Sequence, residues 1–327
     1  DQLPLEHPLL HFHLYYSRYA LQEDRLCMRF DTEIKTANPN KLYYGLKELA
    51  TKADKQDDLL VQEFSSLKPL DTEHIAPVPD AEREIKYEFL QKWIKSTLDY
   101  IKILDADKFS GGIAYLLLTL VFRIDYLLCP EGKLLSELEK VVEKYYRKEE
   151  KTTIERNQKM INSLNKILNK TKEEIFPYLF RSKHTFSIVS PQNHKQVADA
   201  INNAIQNMYW YRDNNHPNIA NEVLEYGFAY GQFSYSLPKP LNDLFKLFMQ
   251  INHGDFFEAL GYAPKYYDPG TKQFEQEEIV DEINDIIQQW KKKYPKLNFD
   301  TRTLKFDKLV NFNHSFTTEI THLNFET

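Results

Sequence analysis

The stretch IAYLLLTLVF, residues 113–122, decides the fold of this chain, because it is the longest apolar run in the sequence. It is about half as long as a segment that crosses a membrane. The charged residues Arg123 and Asp125 follow it closely, and Gly111-Gly112 precede it. We therefore predict a buried helix here and no membrane span.

The composition indicates a globular protein that does not attract nucleic acid through its overall charge. Hydrophobic residues make up 42% of the 327 residues, which is enough for a substantial core, and the net charge is only −6. We predict one large domain, residues 1–327, with a possible internal boundary near residues 180–190. On that division, residues 1–180 hold a hairpin and a helical body, and residues 190–327 hold further helices and a late strand.

Few residues are suited to cofactor binding. Nine glycines leave little room for phosphate-binding loops, and the sequence contains neither a P-loop nor a GxGxxG segment. Two cysteines, Cys27 and Cys129, are too few for a cysteine zinc site or a disulfide framework. We expect no cofactor and no metal. No export signal is visible at the N-terminus, so we expect a cytoplasmic location, with a mature secreted form as the alternative.

Helical patterns dominate the chain and predict a mostly helical fold. An apolar stripe with helical spacing follows the proline-bearing residues 75–79, and Asp80 is placed to cap that helix. Residues 133–175 are a charged helical stretch in which Thr152 and Glu155 make a possible capping box. Division of the stretch at this box predicts a long antiparallel helical hairpin.

Several segments favour strands instead. Apolar residues alternate with polar ones over residues 9–30, which predicts a β-hairpin, with an amphipathic helix over residues 9–21 as the alternative. Residues 222–235 fit both a strand and a helix, and we favour the helix. β-Branched residues predict a late strand at 316–321, and another strand is indicated at 185–189. The predicted fold class is α+β and predominantly α-helical: a large helical body, a long helical hairpin and a small antiparallel sheet from the terminal segments.

Two arginines occupy the arms of the predicted β-hairpin, Arg18 on the first and Arg29 on the second. Arg83 follows the proline break and lies three residues after Asp80. A guanidinium group binds a carboxylate through two parallel hydrogen bonds and keeps its charge, so these arginines are candidates for holding an anionic leaving group. The alternative is that they pair with acidic residues on the surface.

Histidines and carboxylates offer weaker candidates for a metal site. His11 and His13 would share one face of a strand, but no third ligand is identifiable. His253, Asp255 and Glu258 lie close in sequence, but their spacing does not place all three on one helical face. We therefore favour surface or packing roles for the first group and a capping role for the second.

The arginine segments resemble the C-terminal elimination domain of lantibiotic dehydratases and its free-standing relatives in thiopeptide-type bacteriocin biosynthesis. Arg18-Tyr19 and Arg29-Phe30 are similar to the paired strand motifs of that family, and Asp80 and Arg83 lie where the family has a Glu-x-x-Arg segment. Cys27 stands where the family has a further arginine. The resemblance covers roughly the first half of the chain.

The resemblance implies a bacterial, metal-independent lyase that acts on a ribosomal precursor peptide, or a divergent relative that only binds one. Such an enzyme removes glutamate from a glutamylated Ser or Thr and leaves a dehydro-residue. A base takes the α-proton while arginines hold the departing carboxylates. Arg29 and Arg83, together with Arg18, would hold the carboxylates, and His253 or His314 would be the base.

A second hypothesis needs no catalysis. The charged hairpin of residues 133–175 would dock a protein partner, and the chain would be a helical interaction protein such as an adaptor, effector or immunity factor. Both hypotheses expect a peptide or protein partner.

Overall fold

The computed structural model describes residues 14–64, 66–70, 72–182, 194–234, 237–263 and 265–326. These residues form two compact units, the first with residues up to 74 and the second with residues from 75 onward. The predicted strand at 185–189, most of the predicted boundary near 180–190, and His11 and His13 lie outside the described residues.

Unit 1 begins with the predicted β-hairpin, which is confirmed. Strand β1 (Ser17–Gln22) pairs antiparallel with strand β2 (Arg25–Phe30). Glu23 and Asp24 form the two-residue turn, with φ values of 50° and 60°. Two successive residues in the left-handed region match the twist of the flanking strands. The alternative helix over residues 9–21 is therefore wrong for the part that is described.

Helix α1 (Pro39–Glu63) packs against the hairpin within unit 1. The Glu48 carboxylate accepts hydrogen bonds from the backbone N–H and the hydroxyl of Ser17, at 2.8 and 2.7 Å. Gly45 lies directly against the ring of Phe30, where a Cβ atom would overlap the ring. The other elements of unit 1 are two 3-10 turns, Ile34–Thr36 and Thr72–His74.

Unit 2 is a helical body with two short antiparallel ladders. In one ladder β3 (Ile75–Pro77) pairs with β4 (Phe180–Ser182), and in the other β5 (Tyr267–Asp268) pairs with β6 (Gln273–Phe274). The helices are α2 (Asp80–Lys102), α3 (Ser110–Leu128), α4 (Gly132–Tyr146), α5 (Thr153–Leu168), α6 (Lys172–Ile175), α7 (His194–Asp213), α8 (Pro217–Ser234), α9 (Lys239–Asn252), α10 (Gly254–Ala259), α11 (Gln276–Trp290) and α12 (Leu309–His322), with 3-10 turns at Phe176–Tyr178 and Thr301–Thr303.

Helix α3 is the centre of the core in unit 2, as the apolar run predicts. It contacts α2, α4, α5 and α8, and nearly all of its side chains from Ile113 onward are buried. It is the one described helix long and apolar enough to cross a membrane, but 78% of its most apolar window is buried inside the protein. A helix that is apolar on all sides and covered by other helices belongs to a core.

The predicted helical hairpin is confirmed as α4 and α5. The capping box is also present: the Thr152 hydroxyl accepts the N–H of Glu155 at 3.2 Å, and the Glu155 carboxylate accepts the N–H of Thr152 at 2.8 Å. Lys170 lies next to Glu137, and Lys144 contacts Ser163, so the two helices run antiparallel. The apolar faces of both helices pack on α3.

Two ambiguous segments are helical. Residues 222–235 belong to α8 as far as Ser234, as favoured from the sequence. The late strand predicted at 316–321 is wrong, because these residues form the C-terminal part of α12. The hydroxyl groups of Thr317 and Thr318 donate to the carbonyl oxygens of Asn313 and His314, each at 2.7 Å. These bonds satisfy the threonine hydroxyls inside the helix.

Asp80 also departs from its predicted role. It is the first residue of α2, and Pro79 occupies the N-cap position without a side-chain cap. The Asp80 carboxylate instead pairs with Arg83.

Two glycines of α8 give a matched test of the packing of α7 against α8. A Cβ atom at Gly227 would overlap the Cβ of Ala204, whereas a Cβ at Gly231 would lie 3.8 Å from Leu237 and Val197, an ordinary contact. We expect Gly227→Ala to lower the free energy of unfolding by about 1–3 kcal/mol through overpacking. We expect Gly231→Ala to leave it unchanged or raise it by up to about 1 kcal/mol, because alanine has the higher helix propensity. Urea denaturation followed by circular dichroism distinguishes the two, and equal losses would contradict the close approach.

Candidate functional site

Arg18 and Arg29 lie side by side on the exposed face of the hairpin in unit 1. They are direct cross-strand partners in the ladder between β1 and β2. Arg18 forms an ion pair with Asp31, with 2.6 Å between Nη2 and Oδ1, and both side chains are more than half exposed. The described residues provide no ion pair for Arg29. The two guanidinium groups therefore share one face, as the alternation of the strands predicts.

Arg83 belongs to unit 2 and lies in the first turn of α2. Its guanidinium group pairs with Asp80, and its Cζ atom lies 5.4 Å from the centroid of the Phe176 ring. A carboxylate and an aromatic face thus already contact this side chain, which is an ordinary structural role for arginine.

His253 follows α9 and is tied to a buried carboxylate. Its Nε2 atom lies 3.0 Å from Oε2 of Glu225, and its ring packs edge-on against Trp93 at 5.9 Å between centroids. His314, the other candidate base, has its Nε2 atom 3.1 Å from the Tyr209 hydroxyl. Each histidine therefore has one ring nitrogen already engaged by a neighbouring side chain.

A buried charge cluster surrounds the Glu225 carboxylate. Arg123 of α3 donates from Nε to Oε1 of Glu225 at 2.9 Å and from Nη2 to Oε2 at 3.1 Å. The same Nη2 donates to Oε2 of Glu222 at 2.7 Å. Glu222 and Glu225 are one helical turn apart on α8, so both reach the same guanidinium group. With His253, this cluster joins α3, α8 and the end of α9.

The charges in the cluster are set by burial and by the ion pairs together. Burial alone would raise the pKa of Glu225, but Arg123 and His253 reverse this and lower the pKa to about 2. Burial opposes the charged form of Arg123 as well, yet the two carboxylates raise the pKa of Arg123 above its ordinary value. Both groups are therefore ionised at neutral pH. The ion pairs thus connect α3 to α8, and His253 connects α8 to the end of α9.

The sequence contained a signal for this cluster. Arg123 directly follows the longest apolar run, within the helix predicted to be buried. A charged side chain that is buried with such a helix needs a partner of opposite charge. The partner could not be identified, because Glu225 is 102 positions away in the chain. His253 was predicted as a base, and the structure places its Nε2 atom 3.0 Å from Oε2 of Glu225.

A second charged site lies on the outer face of the α4–α5 hairpin. Lys140 and Lys144 are four residues apart on α4, and Lys166 and Lys170 have the same spacing at the end of α5 and just beyond it. All four surround one cavity of about 410 Å³, which we call the lysine cavity. The other residues that line it are Glu137, Ser163, Ile167, Asn169 and Glu174.

Positive charge exceeds negative charge in the lysine cavity, where four lysines face two carboxylates. Lys170 forms an ion pair with Glu137, with 3.1 Å between Nζ and Oε1. Burial lowers the pKa of Lys144, and the nearby ammonium groups of Lys166, Lys159 and Lys140 lower it further. Like charges are thus held close together, and an anion in the cavity would relieve their repulsion.

The charged hairpin was predicted from the sequence, but the lysine cavity was not. The pairs of lysines four residues apart were visible and place two charges on one face of each helix. Their convergence depends on how α4 and α5 dock, which the spacing within one helix does not determine.

No family model matches this chain, and neither the curated proteins nor the solved structures contain a match to it. The resemblance to the elimination domain therefore stays a prediction, and so do the catalytic roles of Arg18, Arg29, Arg83 and His253. None of these four residues lines the lysine cavity, the cavity beside Tyr115 and Tyr211, or the cavity beside Leu98 and Ile161.

Proposed function

We propose that this protein is a non-catalytic interaction protein whose α4–α5 hairpin binds an acidic segment of a protein partner. The observation that carries the proposal is the convergence of Lys140, Lys144, Lys166 and Lys170 on one cavity. In a chain with a net charge of −6, this is a local surface of the opposite sign. Complementary charge steers association and selects partners.

The chemistry of the cavity favours carboxylates. Flexible ammonium groups on opposite helices can each meet one side chain of an extended acidic peptide, since each carries three donors on a long stem. The cavity holds about 410 Å³, which is room for a few side chains. The excess positive charge supplies the attraction.

The α4–α5 hairpin is anchored in the core of unit 2, which fixes the position of its four lysines. Leu134, Leu138, Met160 and Leu164 are buried in the core, and both helices pack on α3. Deletion of residues 133–175 would expose this apolar surface and unfold unit 2, so it would not test partner binding. Charge reversal on the exposed face leaves the core intact and is the better experiment.

We expect the double variant Lys140→Glu/Lys166→Glu to bind an acidic peptide at least about 10-fold more weakly than the wild-type chain, because two attractive charges become repulsive. The probe is a rhodamine-labelled decapeptide of alternating Glu and Gly, measured by fluorescence anisotropy at about 0.15 M salt. Both lysines are exposed, so the variant should fold normally.

The matched control is Lys246→Glu/Lys292→Glu, which changes the net charge equally at exposed positions outside the cavity. It should change the affinity by less than about 3-fold, since neither lysine lines the cavity and salt at about 0.15 M screens exposed charges beyond about 8 Å. A peptide with Gln in place of Glu should not bind. Equal weakening by both double variants would show an effect of bulk charge and contradict the proposal. So would displacement of the peptide by low concentrations of inorganic phosphate.

A further inference from the structure

A second cavity in unit 2 is lined mainly by aromatic rings. It holds about 400 Å³ between α3, α4, α7 and α8, and we call it the tyrosine cavity. Its lining residues are Gly111, Ala114, Tyr115, Leu118, Tyr145, Asn207, Trp210, Tyr211 and Tyr226. None belongs to the lysine cavity, so the function of one site does not depend on the other.

The rings of the tyrosine cavity are held in a fixed arrangement. The Tyr115 and Tyr226 rings meet at 74° with centroids 5.0 Å apart, and the Trp210 and Tyr211 rings meet at 88° and 5.2 Å. Asn207 donates from Nδ2 to the Tyr115 hydroxyl at 3.0 Å. Nearly perpendicular pairs present both ring faces and ring edges, which are the surfaces that aromatic groups pack against.

The lining carries no formal charge. No acidic or basic side chain is among the lining residues. Burial raises the pKa of Tyr115 and of Tyr211, and burial together with the neighbouring tyrosines raises the pKa of Tyr226 to about 12. These hydroxyl groups are therefore protonated at neutral pH. Transfer of an ion into such a cavity would cost its hydration without providing a counter-charge.

We infer that the tyrosine cavity binds a small, neutral, planar aromatic ligand that carries a hydrogen-bonding group. The rings supply stacking and edge-to-face contacts. The Tyr115 hydroxyl, which accepts a hydrogen bond from Asn207, can donate to one polar substituent, and the Oδ1 atom of Asn207 can accept from it, since both Nδ2 hydrogens of Asn207 are already used. The volume of about 400 Å³ lies within the range of ligand pockets. A quaternary ammonium ion is the other ligand that aromatic rings attract, but the absence of a carboxylate in the lining disfavours it.

The glycines at the start of α3 make room for one ring. A Cβ atom at Gly112 would lie 3.0 Å from Cε1 of Tyr211 and 3.2 Å from its hydroxyl oxygen, which is too close without movement of the ring. A Cβ atom at Gly111 would lie 3.6 Å from the same oxygen, which is an ordinary contact. A methyl group at Gly111 would itself enter the lining, so Gly231→Ala, whose Cβ makes only ordinary contacts outside it, is the control for Gly112→Ala.

The test uses the full chain and the side-chain N–H signals of its three tryptophans, Trp93, Trp210 and Trp290. The probes are p-cresol and 3-methylindole as neutral rings, with tetramethylammonium chloride and sodium benzoate as charged comparisons. We expect p-cresol and 3-methylindole to shift the Trp210 signal saturably at about millimolar concentration, with the other two signals unmoved. The charged probes should produce no saturable shift at the same concentrations.

We expect Gly112→Ala, which displaces the Tyr211 ring, to weaken p-cresol binding at least about 5-fold, and Gly231→Ala, on α8 outside the lining, to change it less than about 2-fold. A response to tetramethylammonium that equals or exceeds the response to p-cresol would overturn the inference. Equal shifts of all three tryptophan signals, or no saturable shift in the wild-type chain, would also overturn it. The wild-type measurement decides the question even if Gly112→Ala fails to fold.

Discussion

Replacement of Glu225 by alanine is expected to lower the free energy of unfolding by about 3–5 kcal/mol, the largest effect of any single substitution considered for this protein. Glu225 is 4% exposed and is the partner of both Arg123 and His253. Its removal leaves the Arg123 guanidinium group, which is 5% exposed, without its bidentate acceptor. A buried charge without a partner costs far more than the net contribution of the pair. Many proteins are stable by only about 5–15 kcal/mol, so the variant should be close to unfolding at 37 °C.

Glu222→Ala is the matched control, because Glu222 contacts the same guanidinium group from the same helix. The side chain of Glu222 is 23% exposed and makes one hydrogen bond to Arg123, at 2.7 Å. We expect a loss of about 1 kcal/mol, as water replaces part of this contact. Urea denaturation at neutral pH measures both variants, and equal losses would contradict the assignment of Glu225 as the central partner.

A further variant separates the ion pair from the packing around it. Arg123→Met/Glu225→Met replaces both charges with apolar side chains of similar length. We expect it to recover part of the stability that Glu225→Ala loses, because the buried Arg123 charge is no longer left unpaired, whereas Glu222 and His253 each lose one partner. If the double variant is as unstable as Glu225→Ala, the loss of stability comes from altered packing at the site rather than from the unpaired charge of Arg123.

Asp125 is expected to make the stability of this protein fall as the pH rises from about 4 to about 7. Burial, with a smaller effect of Glu139, raises the pKa of Asp125 from 3.8 to about 7. Asp125 also lies in the last turn of α3, where the helix dipole disfavours a negative charge. The folded chain therefore holds a proton that the unfolded chain has already released, and folding becomes less favourable as the pH rises through this interval.

The size of the effect follows from the difference between the two pKa values. A shift from 3.8 to about 7 corresponds to about 4 kcal/mol at 1.4 kcal/mol per pKa unit. The Asp125 side chain is only half-buried, so contact with water reduces this difference. We therefore expect the free energy of unfolding to fall by about 2–4 kcal/mol over this pH interval. The stabilisation is complete below about pH 4 and is lost above about pH 7.

Asp125→Asn tests this expectation, because asparagine has the shape of the protonated acid but does not titrate. The variant should be more stable than the wild-type chain above pH 7, by about 2–4 kcal/mol, and equally stable near pH 4. Urea denaturation at pH values from 4 to 8 measures the difference. Asp281→Asn, at an exposed position of α11, should not change the pH profile. An unchanged slope in Asp125→Asn would show that Asp125 is not the group responsible.

The sequence predicts secondary structure correctly where the residues that determine an element lie within one short segment. Alternation predicted the hairpin of β1 and β2, and the Thr152 and Glu155 pair predicted the start of α5. The late strand at 316–321 was wrong for the opposite reason. β-Branched side chains favour strands on average, but here the threonine hydroxyls bond to carbonyl oxygens one helical turn away and the apolar residues face the core.

The sequence by itself determined a predominantly helical protein with a buried central helix, a charged helical hairpin and an N-terminal β-hairpin, because these features depend on periodicity and capping over neighbouring residues. Only the tertiary structure decided which charges and rings meet. Arg123 and Glu225 are far apart in the chain. The four lysines come from α4, from α5 and from the residues just after α5, and the tyrosine cavity is assembled from four helices. Such sites depend on the docking of helices, and the spacing within one helix specifies which face a side chain occupies but not what that face will contact.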